Sequence, residues 1–247
     1  MSRGALVTGA GRRLGAAIGE ALAADGWAVA LHYNSAGDGA AALARRIRAG
    51  GGLAVTVGAD LSVRQNARDL VPKAADALAR EAGCTPSLLV NNAALFEPDD
   101  APAVDNVWEA HMAINLLAPV LASQVFIDRI GAEGGSTEGL IVNILDRSVA
   151  NPPTDFIAYT VSKSALWQAT KIMAKQAAPR VRVNAIGPGS VLRHPRQSAG
   201  HFAAQAKATP LGHQTAVEEV TAALRFIIAN RSLTGEILLL DGGHHLL

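Results

Sequence analysis

Residues 4–24 have the sequence GALVTGAGRRLGAAIGEALAA. This order predicts an apolar strand at 4–8, a glycine-rich turn from Thr8 to Gly15, and a helix at 14–24. Glycines in such a turn let the backbone approach a pyrophosphate, and the start of the helix offers free N–H groups at its positive dipole end. The succession therefore indicates a dinucleotide-binding unit. A tight strand-to-helix turn that binds no ligand is the alternative.

The same alternation of short apolar runs and longer helical patterns continues along the chain. Further strands are predicted at 27–33, 53–57, 87–91, 140–145, 181–186 and 236–240, and further helices at 38–49, 64–82, 104–131, 156–178 and 215–229. Continuously apolar strands are expected where helices cover both faces of a sheet. The pattern predicts a single α/β domain over residues 1–247, a Rossmann-type doubly wound parallel sheet of about seven strands. The poorly patterned segment 189–213 is expected to be a substrate loop.

Composition narrows the class of protein. The 247 residues are 49% hydrophobic and 17% charged, with a formal net charge of +1, which is typical of a globular protein and favours neither nucleic acid nor a membrane surface as a partner. The single Cys84 predicts a reducing, cytoplasmic setting. The strand at 4–8 leaves no room for a signal peptide. The apolar stretch from Met112 to Ile127 is interrupted by polar residues and Pro119, and predicts a buried helix.

The end of the second predicted strand bears on cofactor preference. A cofactor without a 2′-phosphate is usually held there by an acidic residue that binds the ribose hydroxyl. The sequence instead has His32, Tyr33 and Asn34. Arg13 in the glycine turn has a guanidinium suited to a 2′-phosphate, so the pattern favours NADP(H) over NAD(H). The alternative is that Arg12 and Arg13 are simply solvated.

Tyr159 and Lys163 are four residues apart on a predicted helix, and therefore share one face. A nearby ammonium is expected to lower the pKa of the phenol and suit it to proton transfer. Asp146 lies thirteen residues before Tyr159. An ionised carboxylate cannot donate a hydrogen bond to a ketone oxygen, but it can accept the N–H groups of a nitrogen heterocycle. The alternative is that Asp146 only stabilises a turn after strand five.

Several motifs follow one another in a recognisable order. They are the turn Thr8–Gly15, Asp60-Leu61, Asn91-Asn92-Ala93-Ala94, Asn115, Tyr159-Thr160-Val161-Ser162-Lys163, Pro188-Gly189 and Asp241-Gly242-Gly243. With these motifs the chain resembles the short-chain dehydrogenase/reductase family over nearly its whole length. Arg13 stands where the family commonly has glycine, and Asp146 stands where it commonly has its catalytic serine. Together with Leu31-His32-Tyr33 and Phe96, these departures are similar to the pteridine reductase branch, which includes bacterial dihydromonapterin and dihydrofolate reductases.

The resemblance implies a role for each site residue. Tyr159, Lys163, Asp146 and Asn115 would be catalytic, with Lys163 on the nicotinamide ribose and Asn115 anchoring a water. The alternative for Asn115 is a satisfied buried amide. Phe96 would stack on the pterin, with plain core packing as the alternative. The expected NADPH contacts are Gly9, Gly11, Arg13, Leu14, His32, Tyr33, Asn34, Asp60, Leu61, Asn92, Ala93, Tyr159, Lys163, Pro188, Gly189 and Ser190. Asp60 would contact the adenine, unless it only caps a turn. Ser35 stands where the branch often has an arginine, which leaves the cofactor preference to Arg13 and His32.

Three hypotheses follow. The leading one is an NADPH-dependent reductase of dihydropterin, dihydromonapterin or dihydrofolate, and the resemblance also implies a homotetramer. The second is a reductase of another carbonyl or imine, such as a 3-oxoacyl thioester or a sugar. The third is a non-catalytic nucleotide-binding regulator. The basic segment Ser190–Arg196 would close over the substrate, where its charges meet an anionic tail or are solvated. His111, His244 and His245 show no metal-ligand spacing, so no metal site is predicted.

Overall fold

One parallel sheet organises the molecule. The computed structural model describes residues 3–98, 105–132 and 138–247. Its seven strands are β1 Arg3–Val7, β2 Trp27–Tyr33, β3 Ala54–Gly58, β4 Pro86–Asn91, β5 Gly139–Ile144, β6 Val181–Pro188 and β7 Ile237–Leu240. They lie in the order β3-β2-β1-β4-β5-β6-β7, and every neighbouring pair is parallel. The order reverses between β1 and β4, so a crevice opens there at the carboxyl ends of the strands. The fold prediction is confirmed.

Helices cover both faces of the sheet. They are α1 Arg13–Ala24, α2 Gly37–Ala49, α3 Arg64–Ala82, α4 Asp105–His111, α5 Ala118–Ala132, α6 Ile157–Ala177, α7 Ala199–Lys207 and α8 Val217–Ala229. The helices α1, α2 and α8 pack on one face, and α3, α5 and α6 pack on the other. Successive strand residues point to opposite faces, so Leu6 enters one core layer and Val7 the other, both fully buried. Each such side chain contributes about 1.5–3 kcal/mol by leaving water, which is why the strands are apolar throughout.

The helix predicted at 104–131 has a more complex structure. Residue 104 lies outside the described residues. After α4, a π-helical turn spans Met112–Leu117 before α5 begins. Turns of this kind are frequent at functional sites because they redirect a side chain within a helix. Here the turn carries Asn115, which is buried.

The helical run Asn106–Ala132 is long and apolar enough, by length and composition alone, to cross a membrane. In the fold it packs against α3, α6 and the central strands β4 and β5. A helix in that position buries its apolar face in the core of the domain. The prediction of a packed helix, not a membrane span, for Met112 to Ile127 agrees with this arrangement.

The segment 189–213 contains a helix that the sequence pattern does not predict. The helix α7 spans Ala199–Lys207, and the Ser198 hydroxyl caps it by accepting a hydrogen bond from the His201 N–H at 3.1 Å. None of its residues is buried, so it has no apolar stripe to produce a helical periodicity. The sequence pattern therefore missed this helix, and a role of the segment as a substrate loop stays a prediction.

Candidate active site

The glycine turn is held against the end of β4 by hydrogen bonds. The Thr8 hydroxyl accepts from the main-chain N–H groups of Asn92 and Ala93, both at 2.9 Å. The Asn92 amide donates back to the Thr8 carbonyl at 2.8 Å. Gly9 has a φ of +65°, and a Cβ there would lie 3.0 Å from the Ala93 Cα. Glycine is therefore required by both conformation and space, and the turn lines the crevice at the switch point.

His32 holds this turn in place by a hydrogen bond to its main chain. It is buried, its Nδ1 accepts from the Gly9 N–H at 3.1 Å, and its Nε2 lies 3.0 Å from the Ala59 carbonyl. Because a carbonyl only accepts, Nε2 must carry the proton and donate it. Burial lowers the pKa of His32 and keeps the ring neutral. Both ring nitrogens are hydrogen-bonded inside the protein, and the predicted contact of His32 with NADPH stays a prediction.

Arg13 reaches towards the substrate loop. Its guanidinium donates to the carbonyls of Leu192 at 2.8 Å and Arg193 at 2.9 Å. Arg13 has a φ of +53°, a conformation that favours glycine, and this accounts for the glycine common at the family position. The side chain bridges two edges of the crevice, and its contact with a phosphate stays a prediction.

Asp60 has local partners. One carboxylate oxygen accepts from the Ser62 N–H at 2.9 Å and from the Ser62 hydroxyl at 2.8 Å, and the Asn34 amide lies 3.5 Å away. These bonds are those of a turn carboxylate, the alternative interpretation of this residue. The neighbouring Leu61 is buried in the core. An adenine contact stays a prediction.

The predicted catalytic side chains come together at the end of β5. The Tyr159 hydroxyl donates to Asp146 Oδ2 at 3.2 Å, and Asp146 Oδ1 accepts from the Ser148 N–H at 2.8 Å. Lys163, also buried, donates its ammonium to the Ile144 carbonyl at 2.8 Å. Asp146 therefore both caps the 3₁₀ turn Arg147–Val149 and faces the phenol. One oxygen therefore stabilises the turn, and a catalytic role for the other stays a prediction.

The expected effect of Lys163 on Tyr159 was wrong. The pKa of Tyr159 is raised well above 10, first by burial and then by the Asp146 carboxylate, whereas Arg147 opposes the rise. The ammonium lies 5.9 Å from the phenol ring centroid and is bonded to a carbonyl instead. An anion in direct contact and the loss of water outweigh a cation at that distance. The phenol is therefore held protonated.

Asn115 positions the segment after β4. Its Oδ1 accepts from the Leu95 N–H at 2.7 Å, and its Nδ2 donates to the Leu95 carbonyl at 2.9 Å and to the Ser162 hydroxyl at 3.1 Å. The side-chain amide is satisfied by protein partners, which matches the alternative interpretation. The consequence is a fixed main chain immediately before Phe96.

An aromatic cluster lines the mouth of the site. The Phe96 ring stacks on Phe156 with centroids 4.6 Å apart, and meets the edges of Tyr159 at 4.7 Å and His194 at 5.8 Å. Phe96 is 39% exposed, so it is not plain core. Phe156 was missed by sequence reasoning. Its φ of +55° at the start of α6 has no signal in the sequence, because phenylalanine rarely adopts that conformation.

The loop at 189–198, the predicted substrate loop, packs on the segment that carries Phe96. Arg196 donates to the Glu97 carboxylate at 2.6 Å and to the Phe96 carbonyl at 3.2 Å. At the base of the loop, the Gly189 N–H donates to the Leu240 carbonyl at 2.8 Å and the Ser190 hydroxyl donates to Gln205 at 3.2 Å. With the Arg13 bonds, the loop is held at both edges of the crevice.

Within residues 3–98, 105–132 and 138–247, no group of three His, Cys, Asp or Glu side chains is arranged to hold a metal ion. His245 instead pairs with Asp241, its Nδ1 lying 2.9 Å from a carboxylate oxygen.

The residues of the crevice fit a nicotinamide dinucleotide. The first turn of α1 has no side-chain cap and no acidic residue, so its N–H groups can receive a phosphate. The buried Lys163 ammonium has three protons, and the one hydrogen bond that the structure gives it uses one of them. Burial lowers the pKa of Lys163 to about 8. An ammonium in that position suits further acceptors such as ribose hydroxyls.

A comparison with family profiles agrees with this geometry. The profile described as short chain dehydrogenase matches residues 3–201. Galactitol 2-dehydrogenase (L-tagatose-forming) from Cereibacter sphaeroides is 34% identical over 97% of this chain and 94% of the relative. The name of that relative describes a dehydrogenase that forms L-tagatose from galactitol.

Two further relatives act on nitrogen heterocycles. Pteridine reductase 1 from Leishmania tarentolae is 29% identical over 98% of this chain and 96% of the relative. The crystal structure of FolM alternative dihydrofolate reductase 1 from Brucella suis, in complex with NADP, is 41% identical. It covers 99% of this chain and 96% of its own, with a TM-score of 0.92.

Proposed function

The chain belongs to the short chain dehydrogenase family, and we propose that it is an NADPH-dependent pteridine reductase that converts dihydropterins or dihydrofolate to the tetrahydro form. One observation carries the proposal: the residue bonded to the Tyr159 hydroxyl is the Asp146 carboxylate, 3.2 Å away, under an exposed aromatic ring at Phe96. The similarity to a pteridine reductase and to a dihydrofolate reductase supports it.

The carboxylate decides between substrate classes. Ketone reduction develops negative charge on oxygen, and an ionised carboxylate facing that oxygen would oppose it. A dihydropterin instead presents ring N–H donors and a C=N nitrogen that must gain a proton. Asp146 can accept the former while Tyr159, held protonated, supplies the latter. Phe96 provides a flat surface on which the heterocycle stacks.

NADPH is the proposed cofactor, and when bound it supplies the hydride. The turn Gly9–Gly15 and the first N–H groups of α1 would hold its pyrophosphate, and Lys163 its nicotinamide ribose. Arg13 is the proposed partner of the 2′-phosphate, since its guanidinium lies at the same turn. The complex of the Brucella suis relative with NADP supports this preference.

Proton delivery is the task of the Asp146 and Tyr159 pair. The Ser148 N–H fixes one Asp146 oxygen, so the other stays aimed at the phenol. As the phenol gives its proton to the substrate nitrogen, the developing phenolate faces the Asp146 carboxylate. Lys163 and Arg147 are the nearby cations that compensate the charge.

The proposal is tested by NADPH oxidation at 340 nm against dihydrobiopterin, dihydromonapterin and dihydrofolate, with a ketone and a keto sugar as controls. We expect turnover of at least one dihydropterin or dihydrofolate and weak turnover of the controls. Efficient turnover of a control that survives Asp146→Asn, without pterin activity, would favour the general carbonyl reductase. NADPH binding without any turnover, unchanged by Tyr159→Phe, would favour a regulator.

We further infer a homotetramer. On α6, Ile157, Val161 and Ile172 are 40–56% exposed on one face, and apolar patches of this kind mark protein interfaces. Light scattering should give four times the 25.5 kDa chain mass, and Val161→Asp should dissociate it. A monomeric wild-type protein would contradict the assembly. A cytoplasmic setting is also proposed, supported by the lone Cys84, a free thiol whose pKa is raised by burial.

A further inference from the structure

An ion pair lies beside the proposed stacking residue Phe96. The Glu97 carboxylate is bonded to Arg196 at 2.6 Å, and the two side chains are 44% and 52% exposed. Arg196 also donates to the Phe96 carbonyl at 3.2 Å. The Phe96 ring in turn meets the edge of Tyr159, with centroids 4.7 Å apart. A pteridine that stacks on Phe96 with its reacting bond at Tyr159 would therefore have this pair near its substituents.

The pair joins two separate parts of the site. Glu97 follows the proposed stacking residue Phe96, and its N–H donates to His111 Nε2 at 3.3 Å. Arg196 belongs to the predicted substrate loop, 99 residues away in sequence. The Arg196 hydrogen bond holds the pKa of Glu97 below its usual range, with His194 and His111 contributing. Glu97 is therefore ionised at neutral pH and compensates the charge of Arg196.

We propose that Glu97 and Arg196 select among reducible pteridines by the charge of their substituent, favouring neutral side chains over the dicarboxylate tail of dihydrofolate. This inference rests on the proposed function. A carboxylate tail must either displace Glu97 from the guanidinium or lie beside the Glu97 carboxylate, a like charge, while the guanidinium stays occupied. Both outcomes weaken its binding. A neutral hydroxylated side chain meets neither penalty and leaves the pair intact.

The size of the effect follows from the exposure of the pair. Charges several ångströms apart at a solvated rim interact weakly, and each exposed pair changes an equilibrium by about two- to fivefold. With two carboxylates on the tail, we expect Glu97→Gln to raise the dihydrofolate-to-dihydrobiopterin ratio of kcat/KM by about fivefold. The change should lie mainly in KM, because the tail does not react. Added salt should reduce it, since the charges are exposed.

The experiment compares Glu97→Gln and Arg196→Gln with wild type on both substrates at low and high salt. Glu81→Gln is the matched control, because it removes the same charge from the exposed end of α3. This position lies just before β4 begins, and therefore at the ends of the strands that face away from the crevice. Arg196→Gln should lower the same ratio by about two- to fivefold. Because the ratio compares two substrates in the same variant, it cancels any loss of activity that a loosened loop causes for both.

The possible results are distinct. A rise in the ratio for Glu97→Gln, a fall for Arg196→Gln and no change for Glu81→Gln support the inference. Turnover of both substrates with ratios within about 1.5-fold of wild type in both variants overturns it and leaves the proposed function standing. No turnover of either substrate by wild type overturns the proposed function, and the inference fails with it.

Discussion

His32 offers a sharp test of how the cofactor turn is built. Replacing His32 by Leu fills similar space but removes the acceptor of the Gly9 N–H and the donor to the Ala59 carbonyl. Both main-chain groups lie beside a buried ring, so each would lose its partner away from solvent. A lost partner of this kind costs about 1–3 kcal/mol, and the two together about 2–6 kcal/mol. That is a large share of the 5–15 kcal/mol typical of a folded domain.

The assay is urea unfolding without cofactor, followed by circular dichroism and tryptophan fluorescence. A loss of about 3 kcal/mol corresponds to a fall of about 6–12 °C in Tm for a chain of this size. His201→Leu is the control, because this histidine is exposed on α7. It should unfold like wild type.

The pH dependence adds a second readout. The pKa of His32 is lowered in the folded state, so the unfolded chain binds the proton more tightly. The stabilisation is complete above the unfolded value near 6.5 and is lost as pH falls through the folded value. His32→Leu should lack this acid sensitivity. If His32→Leu left the free energy of unfolding unchanged but weakened the binding of NADPH more than that of NADH, the supporting role would be refuted. A contact of His32 with the 2′-phosphate would then be favoured.

Three further predictions concern the loop, the lysine and the π-helical turn. Arg13→Leu should leave Tm unchanged but speed tryptic cleavage of the segment 190–198 several-fold, because it removes the bonds to the loop carbonyls; Arg12→Leu is the control, and equal cleavage of the two would contradict the tether. Between the Lys163 pKa of about 8 in the folded protein and its ordinary 10.5, the unfolded chain binds more protons than the folded one. The free energy of unfolding should therefore rise with pH by at most about 1.4 kcal/mol per pH unit. Urea titrations in which the stability of Lys163→Met rises equally with pH would refute this. Asn115→Leu leaves the N–H and carbonyl of Leu95 without their side-chain partners and should lower the free energy of unfolding by about 2–6 kcal/mol. A stability within about 0.5 kcal/mol of wild type would show that solvent replaces the amide.

The fold was predictable because its strands are buried on both faces. A residue such as Leu6 is apolar whichever core layer it enters, so the runs are continuous and easy to detect. The helices α1, α3 and α8 bury one face each and show the matching period. The helix α7 buries nothing and is invisible to the same criterion.

The site was predictable where chemistry fixes the spacing. Tyr159 and Lys163 must share a helix face, and Asp146 must follow β5 to reach the phenol, so linear distance carries the information. Their pKa values were not predictable in the same way. The sign for Tyr159 depends on burial and on the bond to Asp146, and both are products of the tertiary structure.

Contacts between segments that are distant in the chain could not be predicted from the sequence either. Nothing in the order of residues pairs Glu97 with Arg196, or places Arg13 under the carbonyls of Leu192 and Arg193. The role of His32 was missed for a related reason. A histidine at a strand end has the same appearance in sequence whether its ring faces a phosphate or, as here, two main-chain groups.

The central claim is that Asp146 commits the site to a nitrogen heterocycle, and Asp146→Ser tests it most directly. Serine can still cap the turn at Ser148 through its hydroxyl, so folding and NADPH affinity should change little. Proton transfer through a positioned group is worth about 10²–10⁴-fold. The measurement is kcat/KM for dihydrobiopterin and for a ketone in the same variant. A fall of at least about 100-fold for the pterin, with ketone turnover unchanged or increased, is the predicted result. Pterin turnover within about threefold of wild type would contradict the account.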